Sequence, residues 1–156
     1  MTNMEQRINA MCAVMVADTI EERKKAVADL KLLMQNKEVN PKDAEYLIRE
    51  MFMEMGVPDH LIGYDYAVAA IRYVADDRNM LQTISTGLYP TLAAEFNATA
   101  PRIERGIRHL ISETMDRGNK RVIDRYFGTL INSESLKVTN GEFIARMANL
   151  VKQRMR

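Results

Sequence analysis

Asn97-Ala-Thr-Ala-Pro-Arg-Ile-Glu-Arg-Gly-Ile-Arg-His-Leu-Ile-Ser-Glu-Thr-Met-Asp-Arg-Gly-Asn119 is the stretch that decides how this chain is read. Thr99 is a favoured N-cap residue and Pro101 suits a first helical turn, so a capped turn runs straight into a helix. Ile103, Ile107, Leu110, Ile111 and Met115 recur at the helical core spacing and give that helix one apolar face. At about 100° per residue, Arg102, Arg105 and His109 fall together on the opposite side, with Arg108 at its edge. An arginine-rich face is often no more than solvated surface. A cationic first half on a helix whose other face is buried is nevertheless what a reader of the DNA major groove requires.

Charge along the chain favours the same reading. Residues 1–98 hold ten Lys and Arg against fifteen Asp and Glu, a net of −5, whereas residues 99–156 hold twelve against six, a net of +6. The formal charge of +1 hides this asymmetry. A basic C-terminal part attracts polyanions whatever the whole-chain balance is.

A length of 156 residues suits one domain, or one domain with a helical appendage. With 47% hydrophobic residues the chain can bury a normal core, and 28% charged residues keep it soluble. Four Pro, seven Gly and no long alternating β-branched run argue against a many-stranded sandwich. Twelve Met without Trp point to an adaptable core of ordinary packing. The single Cys, Cys12, excludes an internal disulfide framework, fits a reducing compartment and is expected as a buried apolar residue. With no signal peptide and no apolar run near 18 residues, a cytoplasmic, nucleoid-associated protein without a membrane partner is expected.

Upstream of the deciding stretch, Met4 to Val16 reads as a helix with Ile8, Met11, Cys12 and Met15 on one stripe. Thr19 and Glu22 form a capping box for a second helix to about Asn36, carrying Val27, Leu30, Leu33 and Met34. Together they predict an antiparallel hairpin. Asn40-Pro41 is a start signal for a third helix through Met55, stopped at Gly56-Val-Pro58. Gly63 precedes a fourth from Tyr64 to Ala75. A fifth is expected from Asn79 with Leu81, Ile84 and Leu88 inward, broken or restarted at Pro90. Thr91 to Phe96 continues as a short helix with Leu92, Ala93 and Phe96 inward. Beyond the arginine helix, Gly118 reads as a C′ residue that ends it, and Arg121 to Phe127 as another short helix ending at Gly128. Thr139 and Glu142 make a second capping box, opening a last helix to about Gln153. About nine helical segments and no internal repeat are expected.

No catalytic constellation is present. His60 and His109 have no zinc-ligand spacing with the lone Cys, and no phosphate-binding glycine loop occurs. Asp76-Asp77 and Glu21-Glu22 read as solvated helix ends. No enzyme activity, cofactor or metal is expected.

Several strings then point to one family. Glu54-Met-Gly-Val-Pro58, Ile62-Gly-Tyr64, Leu88-Tyr-Pro90, Thr99-Ala100, Arg102-Ile-Glu-Arg-Gly-Ile-Arg-His109, Arg117-Gly-Asn119, Phe127-Gly128 and Thr139-Asn-Gly-Glu-Phe-Ile-Ala145 stand in collinear order over about two-thirds of the chain. This region resembles the C-terminal DNA-binding effector domain of stage zero sporulation protein A, the sporulation response regulator. The resemblance implies a six-helix domain with an internal helix-turn-helix. Pro90–Phe96 would be its first helix, Asn97–Ala100 the turn, and Pro101–Arg117 the recognition helix. In the family that helix reads a TGTCGAA-like box in double-stranded DNA, often bound in tandem by two copies.

The chemistry of the matching positions suits this role. Arg102, Arg105 and Arg108 can fork two donors onto guanine or onto a phosphate. Glu104 can accept from a cytosine amino group, or serve as the intrahelical partner of Arg108. His109 can donate to a phosphate or pack against a neighbouring helix. Thr99 and the free amides behind it can hold a phosphate. Arg117 closes the recognition helix within one of the matching strings. Thr139 and Asn140 match family positions near the DNA backbone, with Lys137 adding charge, although capping alone would also explain them.

Departures from the family pattern are equally specific. The family usually carries lysines where Thr86, Ala94 and Glu95 stand, and a serine where Pro101 stands. These changes remove phosphate partners, so affinity is affected before fold. About 42 residues precede the match in place of the family's phosphoacceptor receiver domain, so control by aspartyl phosphate is not expected. The expected architecture is an all-α multi-helix bundle containing a helix-turn-helix at about 90–117, preceded by an N-terminal helical hairpin. Residues 1–40 form the hairpin extension and 41–156 the effector domain. The hairpin packs on that domain or pairs two subunits, so a homodimer can form there or on tandem sites. The alternative to a DNA-binding regulator is a helical adaptor or antagonist that has lost DNA binding.

Overall fold

Every regular element among the described residues, 3–35, 43–128 and 137–156 of the computed structural model, is helical. The chain divides into two units, Met1–Asn40 and Pro41–Arg156. In the first, α1 (Asn3–Val16) and α2 (Ile20–Gln35) pack on each other as a hairpin. The Glu22 amide donates to Thr19 Oγ1 and the Thr19 amide to Glu22 Oε2, both at 3.2 Å, so the capping box is formed.

The apolar stripe expected on α1 is not the packed face. Ile8 is 52% and Met15 82% exposed, and Met11 and Cys12 are exposed too. On α1 Ala10 and Val14 lose solvent instead, while on α2 Val27 and Leu30 of the expected stripe do so, with Ala26. Alanines permit a close helix approach, and the larger side chains are left beside that contact in water. Cys12 is therefore an exposed thiol, a correction to its expected burial. The side chains of Leu33, Met34 and Asn36 lie outside the described residues.

The second unit contains α3 (Ala44–Met55), α4 (Gly63–Asp76), α5 (Tyr89–Glu95), α6 (Ala100–Arg117), α7 (Lys120–Phe127) and α8 (Asn140–Met155). The start signal at Asn40-Pro41 lies outside the described residues. Helix α3 begins at Ala44, with Asp43 accepting from the Glu45 amide at 3.0 Å. It ends at Gly56, whose φ of 72° and ψ of 35° are left-handed. The Gly56 amide donates to Met53 O at 3.1 Å and the Val57 amide to Phe52 O at 2.9 Å. This double reach-back satisfies the last carbonyls of the helix.

The expected fifth helix is replaced by two tighter and wider turns. Asp77 caps a 3-10 segment, Arg78–Leu81, and a π-helical turn, Ile84–Leu88, then runs directly into α5. Pro90 explains the widening. In an α-helix its ring would strike the carbonyl four residues back, and it has no amide to donate. The π turn instead sends the Leu88 amide to Thr83 O at 3.0 Å. Leucines 81 and 88 still face the core, but through different geometry from one continuous helix.

Helix α4 runs through the middle of the unit, touching α3, α6 and α8. Its Ala67, Ala69, Ala70 and Ala75 are buried and let those neighbours approach. Phe52, Phe127 and Phe143 are fully buried, with Phe127 stacked on Phe143 at 5.2 Å between ring centres. Gly118 ends α6 in an extended conformation, with φ −71° and ψ −179°. Glycine is needed there because a Cβ would meet Thr114 O at 2.4 Å and Met55 O at 2.6 Å. Next to it, the Asn119 amide donates to Met55 O at 2.8 Å, so the α6–α7 corner closes the end of α3.

Candidate nucleic-acid interface

The helix-turn-helix is built from α5, a four-residue turn and α6. Asn97, with φ 49°, is the only described non-glycine residue with positive φ. Asparagine tolerates this left-handed conformation better than most residues. It lets the Ala98 amide reach back to Ala93 O at 2.9 Å and so ends α5. Thr99 then caps α6, its Oγ1 accepting from the Arg102 amide at 3.4 Å, with Pro101 in the first turn.

Helix α6 is held from behind by its whole apolar face. Ile103, Ile107 and Leu110 are fully buried, and Thr114 satisfies its hydroxyl by donating to Leu110 O at 2.7 Å. Where α4 crosses α6, two glycines meet. A Cβ on Gly63 would stand 2.0 Å from Gly106 O, and one on Gly106 would stand 3.0 Å from the Tyr66 ring. Tyr66 in turn contacts Phe96 of the turn edge-on, at 5.0 Å between centres. Helix α6 is thereby set against α4 at backbone contact.

On the outer face Arg102, Arg105, Arg108 and His109 are all exposed. Among the described residues, the side chains of Arg102, Arg105 and His109 have no hydrogen-bond or ion-pair partner. Arg108 is bonded to Glu104 one turn earlier, so the intrahelical role weighed for Glu104 is occupied. Arg117 lies fifteen residues beyond Arg102, about 22 Å along the axis at 1.5 Å per residue. It pairs with Glu113 at 3.5 Å, at the far end of the same helix.

Helix α8 brings its first turn to the same side. Thr139 accepts from the Glu142 amide at 3.2 Å, and the Thr139 amide donates to Glu142 at 2.9 Å. That backbone hydrogen bond holds the Glu142 carboxyl below its ordinary pKa. Lys137 is exposed and has no ion pair among the described residues. Asn140 is half-buried, and its side-chain nitrogen donates to Tyr89 Oη at 3.0 Å and to the Glu104 carbonyl at 3.1 Å. Burial raises the Tyr89 phenol above its ordinary pKa. A cavity of about 720 Å³ lies between α6 and this turn, lined by Tyr89, Glu104, Arg108, Met115, Lys137 and Asn140 among others. The sequence-predicted residues therefore gather in two clusters, Thr99–His109 and Lys137–Asn140, with Arg117 apart from both.

Sequence reasoning missed Tyr89 and the Gly63–Gly106 crossing. A glycine inside a helical pattern is a signal for close approach, and Gly106 carried it. Nothing in the pattern around Tyr89 marks its hydroxyl as a partner for a residue fifty-one positions away.

The described arrangement is an internal helix-turn-helix whose second helix presents cations. A family model described as sporulation initiation factor Spo0A C terminal matches residues 48–151. The chain belongs to this family. The Spo0A C-terminal family is one of sporulation-related DNA-binding effector domains, not of enzymes, and the helical fold and basic outer face of α6 accord with it. DNA is the partner that this membership gives. Among the described residues no helix is long and apolar enough to cross a membrane.

Proposed function

We propose that this chain is a transcriptional regulator that reads a TGTCGAA-like box through the outer face of α6. One observation carries the reading. Arg102, Arg105 and His109 stand exposed and unpaired among the described residues, on a helix locked from behind by fully buried Ile103 and Ile107. Arginines in that position can fork onto guanine O6 and N7 without breaking a prior ion pair. Lys137 and the first amides of α8 take phosphates beside them. Two copies on tandem boxes would double the contact, and association with the nucleoid follows from duplex binding. The surface lies within α6 itself, already exposed, so binding is independent of aspartyl phosphate.

Electrophoretic mobility shift with boxed and scrambled duplexes at two salt concentrations tests this. The boxed duplex binds more tightly, and Arg105→Ala removes about 1–3 kcal/mol of that preference, the worth of one good base contact. Equal weak binding to both duplexes, unaffected by Arg105→Ala, would replace the regulator with a helical adaptor.

A further inference from the structure

Asn140 stands at a position expected near the DNA backbone, yet its geometry assigns its donors elsewhere. A carboxamide has two N–H donors and one acceptor oxygen. Its nitrogen serves Tyr89 Oη at 3.0 Å and the Glu104 carbonyl at 3.1 Å, which uses both donors inside the protein. The Glu104 carbonyl can only accept, so the amide cannot be turned the other way around. What is left is an oxygen, and a phosphate oxygen has no proton to give it.

We propose that the Asn140 side chain is a positioning group, a bridge that fixes α6 against α5 and α8 and so sets base discrimination, rather than a contact to DNA. The bridge joins three elements at one point. Tyr89 opens α5, the first helix of the motif, and is 5% exposed. Glu104 lies on the first half of α6, one residue before Arg105. Asn140 is the first residue of α8. Rotation or sliding of α6 relative to the other two must break at least one of the two bonds. Partly buried hydrogen bonds left half-made still carry a cost, so the amide resists such movement. The argument rests on the DNA-reading role of α6 proposed above.

The test measures affinity of the full chain for boxed and scrambled duplexes over a salt series, for wild type, Asn140→Ala, Tyr89→Phe and the double variant. Asn140→Ala is expected to lower the boxed-to-scrambled ratio roughly tenfold, the equivalent of one misplaced base contact. Its salt slope stays within about half of the 0.9 that one lost phosphate contact removes. Tyr89→Phe moves the ratio in the same direction, and the double variant is no worse than Asn140→Ala. A slope reduced by about 0.9 at unchanged ratio would show that Asn140 holds a phosphate, and overturns the proposal. An unchanged ratio and slope overturns it equally. If Asn140→Ala fails to fold, Tyr89→Phe, which deletes a single oxygen, carries the same comparison. A wild type that does not discriminate defeats the DNA-reading proposal instead. The bridge is then read from the Asn140 side-chain amide protons by NMR, where slow exchange supports it and rapid exchange of both overturns it.

Discussion

Replacing Gly63 by alanine tests the α4–α6 crossing, and with it the platform of the helix proposed to read DNA. The new Cβ would stand 2.0 Å from Gly106 O and 2.5 Å from Gly106 C, where ordinary contact begins at 3.4 Å. The obstacle is main chain, so no rotamer change relieves it, and the helices must part by roughly 1 Å or more. Parting them loosens Ile103, Ile107 and Ala67, each fully buried in the native packing. Overpacking of this kind costs about 1–3 kcal/mol and occasionally more, against at most about 1 kcal/mol gained from alanine's helix propensity. A main-chain clash puts the net loss near the top of that range, about 3 kcal/mol. At about 2–4 °C per kcal/mol for this length, Tm falls by roughly 10 °C. Urea unfolding followed by circular dichroism, with an unchanged m-value, gives the free energy directly. Gly106→Ala is the internal control. Its Cβ meets the Tyr66 ring at 3.0 and 3.2 Å, and a ring edge can yield by tenths of an ångström. Mid-helix Gly→Ala gains about 0.8–1 kcal/mol, so that variant stays within about 1 kcal/mol of wild type. A Gly63→Ala loss below about 1 kcal/mol, or equal losses for both variants, refutes the reasoning.

Three further outcomes follow from the described geometry. Lys137→Ala weakens binding to boxed and scrambled duplexes alike and flattens the salt slope by about 0.9, measured by titration at several salt concentrations. Thr99→Ala removes the cap of α6 and costs about 0.5–2 kcal/mol in urea unfolding, with the exposed site favouring the lower half. Tyr126 donates to Glu54 and accepts from Arg154 at 2.6 Å; burial first, and then the bond to Glu54, push its phenol up to about 12. A raised pKa contributes stability that is complete below the ordinary value of 10.0 and lost as pH climbs through the folded value. Wild type should therefore lose more stability between pH 10 and 12 than Tyr126→Phe does, by urea midpoints at matched pH.

What was legible in the sequence is what depends on local chemistry. Thr19, Gly56, Thr99 and Thr139 announce their caps and stops because each acts within a few residues of itself, and the structure shows all four acting so. The apolar spacing of α6 likewise gave its buried and exposed faces residue by residue. The misreadings came where distant groups decide. Pro90 marked a break, but the π turn that accommodates it has no sequence signature. Gly118 does end α6 as its position announces, but that Met55 O, far away in sequence, excludes a side chain there was not legible. Cys12 and its stripe followed the right period but the wrong face, because alanines on the neighbouring face pack closer. The outward arginines and the Glu104–Arg108 pair were visible from the start; the bonds that consume Asn140 were not.

The bond from Asn119 to Met55 also governs how the molecule can be shortened. A helix whose final carbonyl is sealed by a corner sixty-four positions downstream cannot be trimmed away as a dispensable leader. A minimal fragment intended to carry the arginine face should begin before Asp43. One that starts after Val57 would expose the α6–α7 corner with an orphaned amide, and would be expected to fray at the base of the rod that carries those arginines.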